Sequence, residues 1–404
     1  MKKYFKLFEE CYIVSGKDKY TLYNVLTGNI YEIDEKRGKF CLLSENNMDI
    51  ENACNNSGLL LSEAKIFIKE MESATLGMMS DFPIAMDKLN ILPKWTEKMF
   101  FKQSHGINKA TIGMDYDCSN SCSFCGNDAV TNRYKCWSCN STSRSPIADD
   151  VAFRIIDIIS ERDCKELYLK EGDLLSDWGK TLRIVDYALN RGIEKVLLNI
   201  IHPIDDMTII NDMRVRNISL VLQRYIEKKK QIELIMSESR KYEGLDVTYI
   251  LLTELDNKET IMQVAQNISQ MYSYKLLIDF MIPNKLENVS KEYFDIERTI
   301  GKIDLVSYSI RQFHNECFYK NCYFDKEGNV YPCAGLKNRK YGDIDSMPET
   351  FRSENLGNYW NMSLSKKQEC KECSMRFACN NCESLNYTLT GSHDRNVLCV
   401  KTII

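Results

Sequence analysis

Met114-Asp-Tyr-Asp-Cys118-Ser-Asn-Ser-Cys122-Ser-Phe124-Cys125-Gly126 puts three thiols into one short loop. Three thiolates cannot complete a tetrahedral Cys₄ zinc site. They can hold three irons of a [4Fe–4S] cube and leave the fourth iron open to a small ligand. Soft sulfur favours iron–sulfur or zinc over hard cations. The residues just before the loop, near 109–115, read as a strand, so the thiols follow directly on a strand end.

Outward from this loop, strands and helices alternate. Strands are expected near 109–115, 165–170, 194–200, 216–222, 246–253 and 274–281. Helices are expected near 148–161, 176–191, 225–240 and 257–272. Such alternation argues for parallel βα units. Six of them make an α/β fold, an open, partial (β/α)6 TIM barrel over 109–310. Chemistry in α/β barrels sits at the carboxyl ends of the strands, which is where the cysteine loop falls.

The C-x3-C-x2-C spacing, with the aromatic Phe124 before the last cysteine, resembles the radical SAM enzyme family. The resemblance implies that Cys118, Cys122 and Cys125 ligate a [4Fe–4S] cluster. Its open iron would bind the amino and carboxylate groups of S-adenosylmethionine (SAM). It implies that Phe124 packs near the adenine, and that an electron from the cluster cleaves the sulfonium to methionine and a 5′-deoxyadenosyl radical. A zinc knuckle recruiting Cys136 or Cys139 is the other reading of the same loop.

After the second strand, radical SAM proteins usually carry Gly-Gly-Glu-Pro, which contacts the SAM amino group. This chain has Tyr168-Leu-Lys-Glu171-Gly172-Asp173-Leu174. Gly172 and Asp173 stand for the second glycine and the acid, Glu171 replaces the first glycine, and the proline is missing. Asp173 is alternatively the cap of a helix beginning near Ser176. Asn199, at the end of the third strand, falls where the family often has a ribose-contacting polar residue.

The carboxyl-terminal region is rich in cysteine. Cys317-x4-Cys322 precedes Gly328-x4-Cys333, where Gly328 suits a hairpin turn between Cys322-Tyr-Phe and Val330-Tyr-Pro-Cys333. Cys370-x2-Cys373-x5-Cys379-x2-Cys382 and a final Cys399 follow. Taken alone, these CxxC pairs suit zinc. The pattern resembles the SPASM extension of radical SAM enzymes, apart from a last gap of two residues where three is usual. Eight thiolates match two closed Cys₄ clusters. Carrying the family's pairing across implies Cys317, Cys322, Cys333 and Cys382 on one cluster, and Cys370, Cys373, Cys379 and Cys399 on the other. The cofactors implied are thus three [4Fe–4S] clusters, one SAM-binding and two auxiliary, and SAM itself.

Seventeen cysteines in 404 residues, with no signal-peptide core after the basic start Met1-Lys-Lys, point to a reduced, cytoplasmic protein rather than a disulfide framework. Cys11, Cys41, Cys54, Cys136, Cys139 and Cys164 lie outside the two patterned regions. Free cysteine buries well, so Cys11, Cys41, Cys54 and Cys164 read as core. Cys136-Trp-Ser-Cys139 reads as an ordinary loop, with a redox pair or metal half-site as the alternative. The four histidines, His105, His202, His314 and His393, show no ligand spacing. A net charge of −4 gives no support to a nucleic-acid or anionic-membrane partner. The apolar runs are too short to span a bilayer.

Residues 1–80 read as a small α+β unit. Tyr20–Val25 and Ile30–Ile33 form a hairpin across Thr27-Gly28-Asn29, and Ser62 caps a helix over 63–71. The unit resembles the winged-helix-like elements that bind leader peptides of ribosomally made precursors. Residues 81–108 are a linker and 311–404 the SPASM domain. The whole resembles radical SAM/SPASM peptide maturases; the opening Tyr4-Phe-Lys-Leu-Phe8 is similar to those encoded beside ATP-grasp enzymes. The resemblance implies hydrogen abstraction from a precursor peptide bound through its leader, giving a thioether or carbon–carbon cross-link. A reducing protein such as flavodoxin or ferredoxin would serve as electron donor. A maturase that makes formylglycine in sulfatases is the alternative within the class, although those commonly carry Asp where this chain has Ala334. A non-catalytic zinc scaffold is the alternative outside it. The residues name no catalytic base.

Overall fold

The computed structural model describes residues 2–91, 106–119, 125, 130–139, 145–227, 230–285, 287, 289, 291–293, 300–346, 354–394, 396, 397 and 399. Cys122 and Phe124 lie outside the described residues.

The amino-terminal unit contains β1 (Tyr4–Leu7), β2 (Cys11–Ser15), β3 (Tyr20–Asn24), β4 (Ile30–Ile33), α1 (Glu35–Glu45), α2 (Ile50–Ser57), α3 (Leu61–Ser73) and β5 (Gly77–Ser80). β2, β3 and β4 form an antiparallel sheet with Leu22 opposite Tyr31. β1 pairs with β5, closing the unit end to end. Asp34 and Asp49 cap α1 and α2 through their carboxylates. Ser62 is not a cap. α3 starts two residues earlier than expected, at Leu61, and Glu63 reaches back to accept from the Leu60 N–H at 3.3 Å. Phe5, Phe40, Phe67 and Ile68 fill the core of this unit.

The central unit contains β6 (Lys109–Gly113), β7 (Val130–Thr131), α4 (Asp149–Ser160), β8 (Glu166–Lys170), α5 (Trp178–Asn190), β9 (Lys195–Ile200), α6 (Met207–Val215), β10 (Ser219–Tyr225), α7 (Lys230–Ser239), β11 (Val247–Thr253), α8 (Lys258–Met271), β12 (Lys275–Phe280) and β13 (Ile282–Pro283). Six strands, β6, β8, β9, β10, β11 and β12, lie side by side in chain order, every pair parallel. Helix stripes cover one face. Ala152, Ile155, Ile156 and Ile159 of α4, and Ile261, Val264, Ala265 and Ile268 of α8, repeat at i, i+3, i+4 and i+7. Strand residues alternate accordingly. Val196, Leu198 and Ile200 join the helix-covered core, whereas Leu197 joins Tyr168, Val221, Ile250 and Leu252 on the opposite, inner face.

Helix α6 had no counterpart in the sequence reading. It buries only Ile210 and Met213, too short a stripe to stand out. The helix expected over 225–240 is confined to α7, because β10 runs on to Tyr225.

The carboxyl-terminal region adds α9 (Leu305–Phe313), β14 (Asn321–Phe324), β15 (Asn329–Tyr331), β16 (Gly342–Asp343), α10 (Glu354–Trp360) and α11 (Glu383–Thr390). β14 pairs in parallel with β6, Cys322 opposite Ala110, so the central sheet continues into this region as nine strands. β14 and β15 form the hairpin turned by Gly328 at φ +80°. The amino-terminal unit docks here. Tyr23 Oη donates to the Ser374 carbonyl at 2.7 Å, and Val14, Tyr23 and Val25 pack with Ile303, Tyr308 and Phe377. No helix among the described residues is long and apolar enough to cross a membrane.

Candidate active site

The chain leaves β6 by leaning on the end of β8. The Met114 N–H donates to the Lys170 carbonyl at 2.7 Å, and the Tyr116 N–H to the Glu171 carbonyl at 3.4 Å. Cys118 follows two residues later and is half-buried; Cys125 is exposed. The β8 end turns through two consecutive left-handed residues, Glu171 at φ +77° and Gly172 at φ +79°. A Cβ on Gly172 would lie 2.1 Å from the Tyr116 carbonyl oxygen. The glycine is therefore what lets the cysteine loop approach the strand end.

Glu171 occupies a conformation that costs a side-chain-bearing residue about 1–2 kcal/mol. Its carboxylate compensates. Fully buried, it accepts from Tyr323 Oη at 2.8 Å and from Lys337 Nζ at 3.0 Å, with Lys170 Nζ at 3.9 Å. The sequence reading noticed Glu171 only as a departure; Tyr323 and Lys337 carried no signal, because they come from strand pairing more than 150 positions away.

Asp173 does not cap the following helix. α5 begins at Trp178, and Asp177 accepts from the Lys180 N–H at 3.0 Å. Asp173 Oδ1 instead accepts from Leu175 N, and Oδ2 lies 3.8 Å from His202 Nε2 beyond the β9 end. Asn199 is fully buried in β9, its amide donating weakly to the Val221 carbonyl at 3.4 Å.

Residues 130–139 close over the inner face of the sheet, held from three strands. Tyr134 N donates to Asp279 Oδ2 at 2.8 Å, Cys139 N to Gln223 Oε1 at 2.5 Å, and Tyr168 Oη to the Trp137 carbonyl at 2.5 Å. Lys170 Nζ donates to the Lys135 carbonyl at 3.0 Å and approaches that of Cys136 at 3.5 Å. Burial pushes the Asp279 carboxyl up to about 6, against the hydrogen bond from Tyr134 that lowers it. Burial pulls the Lys170 amine down. Cys139 is buried by this packing, while Cys136 opens onto two cavities of about 280 and about 190 Å³.

Those cavities gather the carboxyl-terminal thiols. Cys317 and Cys382 line both, Cys333 lines the smaller and Cys379 the larger. Burial raises the Cys317, Cys333 and Cys382 thiols, the last to about 12, and Cys136 adds to each rise as a near neighbour. Cys317 is exposed and Cys333 and Cys382 are half-buried, so these thiols face the open cavities. A second group forms around Asn396, whose amide lies 3.8 Å from both Cys370 Sγ and Cys379 Sγ. Burial pushes Cys370 up to about 11 and Cys379 up to about 12, with Cys373 and Cys399 contributing to both. Cys322 borders the smaller cavity, but its side chain is sealed in the helix-covered core beside Cys164.

Thiols raised in this way stay protonated alone and ionise when a metal supplies positive charge. Among the described residues, no three His, Cys, Asp or Glu side chains converge on a point that would hold a single ion. The soft thiols lining these cavities are the donors that iron–sulfur clusters take. The donor set and the cavities thus fit iron–sulfur ligation.

No family model matches the chain, and no curated protein matches it in sequence. Solved structures do match in fold. anSMEcpe with bound AdoMet aligns over 72% of this chain and 90% of its own, with a TM-score of 0.52 at 12% identity. anSMEcpe with AdoMet and the Kp18Cys peptide aligns over 72% and 94%, with a TM-score of 0.51 at 11% identity. Over those 72% this chain has the fold of anSMEcpe. SuiB of Streptococcus suis, bound to its precursor peptide SuiA, aligns over 98% of this chain and 100% of its own, with a TM-score of 0.46 at 15% identity. The match is one of fold, with a large parallel sheet flanked by helices.

Proposed function

We propose that this protein is a radical SAM peptide maturase. In this reading 109–310 form a partial (β/α)6 barrel, 311–404 a SPASM domain, and 1–80 a winged-helix-like unit that receives a precursor's leader, joined by the linker 81–108. The observation that carries the reading is the contact between the cysteine loop and the left-handed Glu171–Gly172 turn, at the carboxyl edge of six parallel strands. That edge is where α/β sheets hold their ligands.

Cys118, Cys122 and Cys125 would hold the SAM-binding cluster, with Phe124, Gly172, Asp173 and Asn199 around SAM. Asp173 is not used as a helix cap, which supports a binding role. The thiols around the two cavities and Asn396 would hold two auxiliary clusters. The chemistry these groups supply when bound is hydrogen abstraction from a carbon of the peptide and disposal of the resulting electron. The protein holds the turn, excludes water and positions the peptide. A peptide substrate is supported by anSMEcpe, a protein of this fold with a peptide bound. A cross-linked product, thioether or carbon–carbon, is favoured over formylglycine because Ala334 packs with Tyr323 and Tyr331 where the formylglycine enzymes commonly have Asp. Flavodoxin or ferredoxin would be the reductant.

The test is anaerobic incubation with SAM, dithionite and the precursor peptide encoded nearby. Expected are 5′-deoxyadenosine, abolished in Cys118→Ala, and a peptide lighter by two hydrogens. An aldehyde product would transfer the reading to formylglycine formation. Colourless, zinc-only protein that yields no 5′-deoxyadenosine would overturn it.

A further inference from the structure

Cys136 belongs to neither cysteine pattern, and Cys136-Trp-Ser-Cys139 reads from sequence as an ordinary loop, with a redox pair or metal half-site as the alternative. In the folded chain it lines both cavities with Cys317 and Cys382, and the smaller one with Cys333 as well. Its carbonyl and that of Lys135 face the buried Lys170, and the flanking backbone is tied to Asp279, Tyr168 and Gln223. The turn that presents this thiol is thus braced by side chains from three strands.

Cys322 stands differently. Side chains alternate along a strand. Tyr323 reaches inward to Glu171, and Cys322 and Phe324 belong to the core on the other side, with Ala110 and Ile112 of the neighbouring strand. Only 4% of Cys322 is exposed. Cys322 does border the smaller cavity with Cys317 and Cys333, but it does so from within the helix-covered core, whereas Cys136 borders both cavities.

We propose that Cys136 supplies the fourth thiolate of the site formed by Cys317, Cys333 and Cys382, and that Cys322 is a core residue. The inference rests on the iron–sulfur reading above and changes its ligand set. On binding, Cys136 gives up its proton to solvent and forms one iron–sulfur bond. Its consequence is architectural. One auxiliary cluster would be bonded both to the carboxyl-terminal region and to the turn that closes the inner face of the central sheet.

The test uses full-length protein with Cys118, Cys122 and Cys125 all changed to Ala, so that only auxiliary clusters remain, about eight irons. Cys136→Ser, Cys322→Ala and Cys322→Val are each added to this parent, and iron, sulfide, the EPR spectrum and midpoint potentials are measured after anaerobic reconstitution. Expected is that Cys136→Ser loses about four irons, or alters the EPR signal and potential of one cluster and not the other. Either Cys322 variant that folds should match the parent in all four readouts. Loss or alteration of a cluster in both Cys322 variants, or a Cys136→Ser protein identical to the parent, would overturn the assignment alone. A parent that holds no iron would overturn the iron–sulfur reading together with it.

Discussion

Tyr323 donates to Glu171 at 2.8 Å, joining the strand β14 to the left-handed turn after β8. The bond links the carboxyl-terminal cysteine region to the turn on which the first cysteine loop leans. Hydrogen bonds to charged groups contribute roughly 1.5–3 kcal/mol, so Tyr323→Phe is expected to lower stability by about that amount in urea unfolding, with Lys337 still paired to the carboxylate. Glu171→Ala loses the same partners and keeps a Cβ at φ +77°. Glu171→Gly loses them but relieves the backbone, and should be about 1 kcal/mol more stable than Glu171→Ala. Equal stability of the two would show that the backbone there is not strained.

Gly172→Ala should be severe. The new Cβ meets Tyr116 backbone atoms at 2.1–2.6 Å and sits at φ +79°. Either the β8 turn or the segment leading to Cys118 must move, at a cost of about 3 kcal/mol or more. Thermal unfolding would register the loss. If the reading of the loop holds, cluster occupancy at Cys118 should fall in the same variant even where it remains folded at 20 °C. An alanine variant of native stability would mean that the two segments are not in contact.

The six parallel strands were legible because each is a short apolar run followed by a helix with a clear stripe. The cysteine loop and the carboxyl-terminal set were legible because ligand spacing is local. What failed was whatever depends on partners distant in the chain. Tyr323, Lys337 and Glu171 meet only because β14 adds to the β6 edge. The ligand set we propose would follow the same rule, since Cys322 sits five positions from Cys317 in the chain and Cys136 some 180 positions away. Helix α6 was missed for a simpler reason, its two buried residues. Asp173 and Asp177 are both acids ahead of α5, and only the start of the helix at Trp178 decides which one caps it.

Arg224 and Glu238 form a buried pair between β10 and α7, with both side chains under a tenth exposed. Arg224 also donates to the Ile200 carbonyl at 3.0 Å, fixing the end of β9 just past Asn199. Glu238→Ala leaves a buried guanidinium uncompensated and is expected to cost about 3–5 kcal/mol. Arg224→Met with Glu238→Leu removes both charges and should recover most of that loss. A double variant no more stable than Glu238→Ala would contradict the idea that the unpaired charge is what hurts.

His314 should make stability depend on pH in a defined window. Its ring stacks on Tyr319 with centroids 4.2 Å apart and meets Asn361 Oδ1 through Nδ1 at 2.9 Å. Burial pulls the imidazole down to about 4, partly opposed by Asn361. The unfolded chain takes up this proton near pH 6.5, the folded chain only near 4. Between those values the unfolded state binds more protons, so the contribution is full above pH 6.5 and is lost as pH falls towards 4. The loss from pH 7 to pH 5 is about 2 kcal/mol by proton linkage. Asp279, pushed up to about 6, acts with the opposite sign, stabilising the fold as pH falls through that value. The readout is therefore a difference. Urea midpoints of the wild type and of His314→Gln are compared at pH 7 and pH 5, which leaves Asp279 common to both. The wild type should lose about 2 kcal/mol more than the variant over that interval. Parallel profiles would place the folded His314 at its ordinary pKa, and with it in contact with solvent.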